Sequence, residues 1–341
     1  MKFRCRMIDL TAMREFTNIV TIISRISKQC ILRLTTDEIS FNIGYDSVPV
    51  LWAELSQSHF FTEYIMSGVS EEQNEIYLEF ESAMLARSLG SLRLHSKSVK
   101  MKLTNKLQPC LTFEIELSSS TVESRQCVHD VPVRVVPRKE WTVYKVPDIP
   151  EFDISIDMPQ LKYLRNIVER MRNMSSQLTL TADKTGMFVL RVETDSANVS
   201  THFQELKVWS CSQVEDNFTI SATIDVKKFL TFLSWDIVHP NSVRCNILEN
   251  KIVNLLLDLS GYLKVRYFLP AINLEFDWLR LDVLLSLLNL PTFVLIEYQY
   301  FLPNDKYILF LDPRQIMTPI LFQEVLNNPA ILFVGQPNKS K

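Results

Sequence analysis

One order of hydrophobic patterns occurs twice along the 341 residues of this chain, and that repetition limits the fold more than any other feature. Residues 1–9 alternate, with Phe3, Cys5 and Met7 on one face; residues 11–27 then change to a helical period carried by Phe16, Ile19, Val20, Ile23 and Ile26. The same pair returns later. Residues 152–158 alternate through Phe152, Ile154, Ile156 and Met158, and Pro159 opens a predicted helix over 160–174 with Leu161, Leu164, Val168 and Met171 on its apolar side. A strand at 75–80 precedes a helix near 82–92, and a strand at 218–224 precedes one near 225–235. Residues 98–106 and 242–251 correspond next, each followed by a further alternating strand: Leu111, Phe113, Ile115 and Leu117, then Leu255, Leu257 and Leu259. The chain is therefore expected to be α+β, two similar units over 1–117 and 151–272, each with antiparallel sheets and two helices. Between them, residues 118–150 have the composition of a connector, with Pro132, Pro137, Pro147 and Pro150 around one short strand at 127–136. Residues 273–341 fall outside the repeat.

Composition removes several classes of function. The chain has only six glycines and neither G-x-x-x-x-G-K nor G-x-G-x-x-G, so a phosphate-cradling loop is not expected. The cysteines at 5, 30, 110, 127, 211 and 245 stand singly, which reads as small buried hydrophobes in a reducing compartment. The first residues lack the apolar run of a secretory signal, so the N-x-S/T triplets at Asn173, Asn198, Asn217 and Asn338 are read as chance matches. Residues 281–302 are long and apolar enough to suggest a bilayer span, but Asp282, Asn289, Pro291 and Glu297 interrupt them, and no membrane association is expected. The five histidines are dispersed, and Glu79 and Glu81 share a strand face with no third acid nearby. The chain calls for no metal, no cofactor and no reaction.

Charge is more informative in its placement than in its sum. With 36 basic and 39 acidic residues the net charge is −3, so contact with nucleic acid requires segregation of the cations. The helices provide it. Opposite its apolar side the first helix carries Arg14, Asn18, Thr21, Arg25 and Lys28, and the helix after Pro159 carries Lys162, Arg165, Glu169 and Arg172. Arg87 is outward on the shorter helix of the first unit, and Lys227, with Lys228 beside it, on that of the second. Each of these faces taken alone is what any soluble helix shows. Four of one sign in an acidic protein predict one basic surface, suited to phosphates and, with no aromatic or amide side chains interleaved, not to bases.

The duplicated layout resembles sliding clamps of the proliferating cell nuclear antigen type, and in detail the Hus-one family of checkpoint-clamp subunits. The resemblance is carried by Met1-Lys2-Phe3-Arg4, by Gly68-Val69-Ser70 with residues 74–79, and most specifically by Lys102-Leu103-Thr104-Asn105-Lys106 with Pro109-Cys110-Leu111-Thr112. It continues through His129-Asp130, Pro132-Val133, Pro137-Arg138-Lys139, Trp141, Thr201-His202-Phe203, Cys245-Asn246-Ile247, Tyr267-Phe268 and Pro270-Ala271. The resemblance implies a non-enzymatic subunit of a heterotrimeric ring, closed with Rad-nine-like and Rad-one-like partners. A clamp loader would place the ring on damaged or partly single-stranded DNA, where it recruits checkpoint and repair proteins. It would enclose duplex DNA without regard to sequence, its helices lining the hole, and would act in the nucleus, with the chain in the cytoplasm before assembly. Subunits of such rings join through edge strands, and by position those edges are Leu111, Phe113 and Ile115 in the first unit and Val199, Thr201 and Phe203 in the second. The family ends near Ile272, so residues 273–341 have no counterpart in it. A homotrimeric replication clamp, a metal-dependent nuclease using Glu79 and Glu81, and a scaffold without a DNA role are the alternatives.

Overall fold

The first helix illustrates how this chain folds against local preference. Helix α1 (Leu10–Ile26) contains a run of Thr, Val and Ile, whose branched side chains lose rotamer freedom in a helix. Packing decides the outcome: Ala12, Met13, Phe16, Ile19, Val20, Ile22 and Ile23 are all buried along one side. The hydroxyls of Thr17 and Thr21 donate to the carbonyls of Met13 and Thr17, each at 2.7 Å, so their polarity is absorbed within the helix. Asp9 caps the start, accepting from the backbone N–H groups of Thr11 and Ala12 at 3.2 Å.

A computed structural model describes residues 1–44, 50–71, 73–90, 92, 96–117, 125–144, 151–212, 219–259 and 261–272, and the backbone of short strands at 299–302, 306–309 and 331–333. The first passage through the fold runs β1 (Lys2–Met7), α1, β2 (Gln29–Leu34), β3 (Glu38–Ile43), β4 (Val50–Ser56), α2 (Gln57–Phe60), β5 (Glu63–Ser67), β6 (Ile76–Glu81), α3 (Ser82–Gly90), β7 (Ser96–Asn105), β8 (Pro109–Leu117) and β9 (Arg125–Pro132). After β10 (Arg134–Val135) and a 3-10 helix (Arg138–Tyr144) the order begins again. It runs β11 (Ile154–Asp157), α4 (Leu161–Met171), β12 (Gln177–Asp183), β13 (Phe188–Glu193), β14 (Asn198–Phe203), β15 (Val208–Cys211), β16 (Thr219–Asp225), α5 (Val226–Leu233), β17 (Val243–Leu248), β18 (Ile252–Leu259) and β19 (Leu263–Pro270). In this order β4 corresponds to β14, and β9 to β19. Pro159 is not the first residue of α4 but stands one place before the cap, Gln160.

The strands form a five-stranded sheet, β5-β1-β7-β8-β9, a four-stranded sheet, β14-β13-β12-β16, and a ten-stranded sheet, β10-β6-β2-β3-β4-β19-β18-β17-β11-β15. The last is shared by both repeats. Its joint is the antiparallel ladder from Leu55–Leu263 to Val50–Phe268. Arg266 reaches Glu54 at 2.7 Å across that ladder, and the Trp52 and Phe268 rings meet edge to face at 5.6 Å. Beside it the His59 ring stacks on Tyr262 at 3.7 Å. One hydrophobic cluster, from Phe3 to Ala271, fills the space under the sheets of both repeats. Cys5, Cys30 and Cys245 lie in it, and burial pushes their thiols upward, as expected of core hydrophobes rather than reactive groups.

Two expectations about residues 118–150 need correction. The strand assigned to the connector is β9, the last strand of the five-stranded sheet, paired with β8 from Leu117–Arg125 to Cys110–Pro132. The segment after β9 is not a free linker either. Trp141 packs against Tyr77 with ring centroids 4.8 Å apart, and its Nε1 donates to the Val136 carbonyl at 3.0 Å. Ile31, Tyr77, Val136 and Trp141 make a second small core there.

Residues 285–341 form a separate compact unit, in which β20 (Gln299–Leu302) pairs antiparallel with β21 (Lys306–Leu309), and β21 runs parallel to β22 (Ile331–Phe333). Most of the apolar stretch at 281–302 and of the region 273–341 lies outside the described residues. Among the described residues no helix is long and apolar enough to cross a membrane.

The Glu54–Arg266 pair is mostly buried, with side chains 20% and 15% exposed. Arg266→Ala strands the carboxylate and should cost about 2 kcal/mol in urea unfolding. Adding Glu54→Ala should recover part of that loss. A change within about 0.5 kcal/mol would show that the backbone ladder holds the joint alone.

Candidate nucleic-acid interface

The helices of both repeats lie together. Helix α1 packs against α3, α4 packs against α5, and α1 also touches α5. A 3-10 helix (Ser234–Val238) bridges α1 and α4. Local chemistry fixes the register of each: Asp225 caps α5 as Asp9 caps α1, accepting from the N–H groups of Lys227 and Lys228 at 2.8 and 3.0 Å. With Leu161, Leu164, Val168 and Met171 drawn into the core, α4 turns its long polar side chains away from it.

The expected basic residues fall on this layer with different degrees of freedom. Arg14, Arg25, Lys28, Lys162, Arg172 and Lys227 are exposed and make no ion pair with any described residue. Arg87 is exposed and its Nε donates to the Ala83 carbonyl of its own helix at 3.3 Å. Arg165 is bound to Glu169 at 3.0 Å, and Lys228 is only half exposed, so these two present less charge than the sequence pattern suggests. Helices α1, α3, α4 and α5 contain just two acids, Glu15 and Glu169. Each is engaged, Glu15 by the His59 Nε2 at 3.0 Å and Glu169 by Arg165. The layer therefore projects a cationic field from a chain of net charge −3.

Sequence reasoning missed three side chains on α4. Arg170 is exposed and adds to the field. Tyr163, 60% exposed, and the exposed amide of Asn166, with the half-exposed Asn18 between the arginines of α1, contradict the expectation that no aromatic or amide stands among the cations. The signal that could have found them is the row at spacings of three and four, Tyr163, Asn166 and Arg170, which runs beside the row of charges.

The edge-strand assignment in the first unit is also corrected. Leu111, Phe113 and Ile115 are fully buried on β8, which has β7 on one side and β9 on the other. The free edge belongs to β9. In the second unit Val199, Thr201 and Phe203 lie on β14, the terminal strand of its sheet. A polar chain ties β9 down: Thr104 meets Thr112 at 2.7 Å, Thr112 donates to Asp130 at 2.6 Å, and Lys106 reaches the same carboxylate at 2.6 Å. Of the two strand acids considered for metal, Glu79 is paired with Arg134 of β10, which also reaches Glu140 at 3.3 Å.

Antiparallel sheets around a shared core, crossed by a joined layer of basic helices, define a protein of the DNA sliding-clamp class. Residues 1–273 match the family described as Hus1-like protein. The human checkpoint protein HUS1 is 38% identical over 283 residues, covering 80% of this chain and all of the human protein. The Drosophila melanogaster checkpoint protein Hus1-like is 28% identical over 80% of this chain and 99% of its own length, and the Schizosaccharomyces pombe checkpoint protein hus1 is 30% identical over 63% and 75%. The chain belongs to the Hus1 family of checkpoint-clamp subunits.

Hydrogen bonds from Lys106 and Thr112 hold the Asp130 carboxyl below the usual carboxylate range. A depressed folded value adds stability above the unfolded value of about 3.9, and that stability is lost as pH falls through the folded value. Asp130→Asn should therefore be less stable than the parent near neutral pH, with the gap closing below about pH 4. A gap in urea midpoint that is constant with pH would remove Asp130 from this role.

Proposed function

We propose that this chain forms one part of a heterotrimeric ring that encloses duplex DNA, joined to two related clamp subunits of the Rad-nine-like and Rad-one-like kinds. A clamp loader places the ring, and repair and checkpoint proteins gather on it in the nucleus, the chain passing through the cytoplasm before assembly. The two units act as clamp domains, the helix layer faces the DNA, and the protein works by enclosure rather than by a reaction.

The observation that carries this reading is the correspondence of the joint. Inside the chain β4 pairs with β19, while their counterparts β14 and β9 end their sheets. A second joint of the same kind, β14 of this chain against the β9-like strand of a neighbour and β9 against a β14-like strand, would continue each sheet into the next subunit. Unpaired strand edges are an aggregation hazard, and such pairing removes it. The cations on the helix layer then meet a polyanion along its backbone, which requires no base reading.

In isolation the chain should be a monomer and with the two related subunits a one-to-one-to-one complex; a stable homotrimer by light scattering would favour a replication clamp. The DNA-facing role is tested with Arg14, Arg25, Lys28, Lys162, Arg172 and Lys227 changed together to alanine. Each phosphate contact contributes about −0.9 to the slope of log affinity against log salt on duplex DNA. The variant ring should assemble, hold DNA of any sequence less well and show a flatter slope, whereas Lys97→Ala on β7 should change little. An unchanged slope with the ring intact would remove these side chains from the interface.

A further inference from the structure

We infer that Tyr163 is a stacking contact for an unpaired base, so that α4 grips single-stranded nucleic acid in a way it does not grip a duplex. The inference rests on the helix layer facing DNA, as proposed above.

Tyr163 is 60% exposed, and no aromatic ring, ion pair or hydrogen bond among the described residues engages its side chain. Trp209 offers a contrast. It is similarly open at 48%, yet Lys207 and Arg244 lie 3.5 and 3.9 Å from its ring centre and its Nε1 donates to Asp157 at 2.7 Å. That indole is already engaged within its own sheet; the Tyr163 ring is not. An isolated exposed tyrosine would need no explanation. This one stands at the head of a row with Asn166 and Arg170, three and seven residues on, and beside Lys162, all exposed. Lys162 and Arg170 have no acid to pair with among the described residues, so an anionic strand is the complementary occupant.

The chemistry selects the form of the strand. Grooves that hold single strands combine cations, which track the phosphates, with aromatic rings, on which bases stack whatever their identity. In a duplex both faces of each base are already covered by its neighbours, so a side chain can meet the backbone or a base edge in a groove but finds no open face to stack on. The Tyr163 ring would gain little there. Where a base is unpaired, the ring can cover it while Lys162 and Arg170 meet the adjoining phosphates and the Asn166 amide meets a base edge or sugar.

The test compares Tyr163→Ala, Tyr163→Phe and the parent, each as the full chain assembled with its two partner subunits, on labelled oligothymidine and on a duplex of equal length across a salt series. Loss of one stacked base should lower single-strand affinity about ten-fold in the alanine variant, leave duplex affinity within about two-fold, and leave both salt slopes unchanged. Phenylalanine keeps the ring and should keep the affinity. Equal losses on both DNAs, no loss on either, or a phenylalanine variant as weak as alanine would overturn the assignment. Failure of the alanine variant to join its partner subunits would also overturn it, marking the ring as a protein contact. The alanine set on the six basic residues separates this result from the reading beneath it. If that set leaves duplex retention unchanged, the helix layer does not face DNA, whereas duplex retention that falls there while Tyr163→Ala does nothing sinks the stacking contact alone.

Discussion

The ladder between β4 and β19 is the contact on which the rest of the molecule depends. It turns two separate sets of strands into one ten-stranded sheet, and the helices of both repeats can share a layer because that sheet is continuous. The joint uses general forces in a particular order. Backbone hydrogen bonds fix direction and register, Leu55, Leu263 and Val265 are buried beneath it, and Glu54–Arg266 sets one charge pair that a slipped register would break. A single hydrophobic cluster then crosses the boundary between the repeats, with buried residues from Phe3 to Ala271 in contact throughout. The counterparts of the ladder's two strands, β9 and β14, are each paired on one side only among the described residues, with β8 and β13, and end their sheets.

Charge is arranged around this frame rather than by it. The sides of the helices turned from the core carry almost no acid, and the two acids there are already bound, one by a histidine and one by an arginine. Among the described residues the other acids lie mainly on strands and loops, several in ion pairs such as Arg33 with Glu38 and Glu75. These side chains are part-buried, and their charges are matched where they stand. The helix layer keeps a cluster of cations without acid partners among the described residues, and a field of that sort acts over about 8 Å at physiological salt without any single contact being strong.

The helices and their buried sides were legible in the residues because a 3.6 period against an apolar core leaves a mark at every turn: Phe16, Ile19, Val20 and Ile23 identify α1 even though its branched residues disfavour a helix. The duplication was legible for the same reason, since two copies of one pattern of burial must repeat their periodicity. The edge strand was not. Strong alternation in Leu111, Phe113 and Ile115 reports that one face of β8 meets the core, which is true of an interior strand and says nothing of its neighbours. The real edge, Arg125–Pro132, has the weak and polar pattern of a strand that is half solvated, and so resembles a connector. Tyr163 stands in a different row of α4 from Lys162, Arg165 and Arg172, so the spacing of the charges gives no sign of it.

The sequence by itself determined the α+β class, the two-fold order of elements, the buried face of each helix and the cationic character of the opposite faces, because these arise from local periodicity and residue type. Only the tertiary structure decided which strands end their sheets, that the two repeats share one sheet and one core, that Arg165 is bound while Lys162 is free, and that the connector's Trp141 is anchored on Tyr77. Each of these depends on residues distant in the chain, or on neighbouring side chains, meeting at a defined register, and no local pattern encodes which partner a strand or a side chain will find.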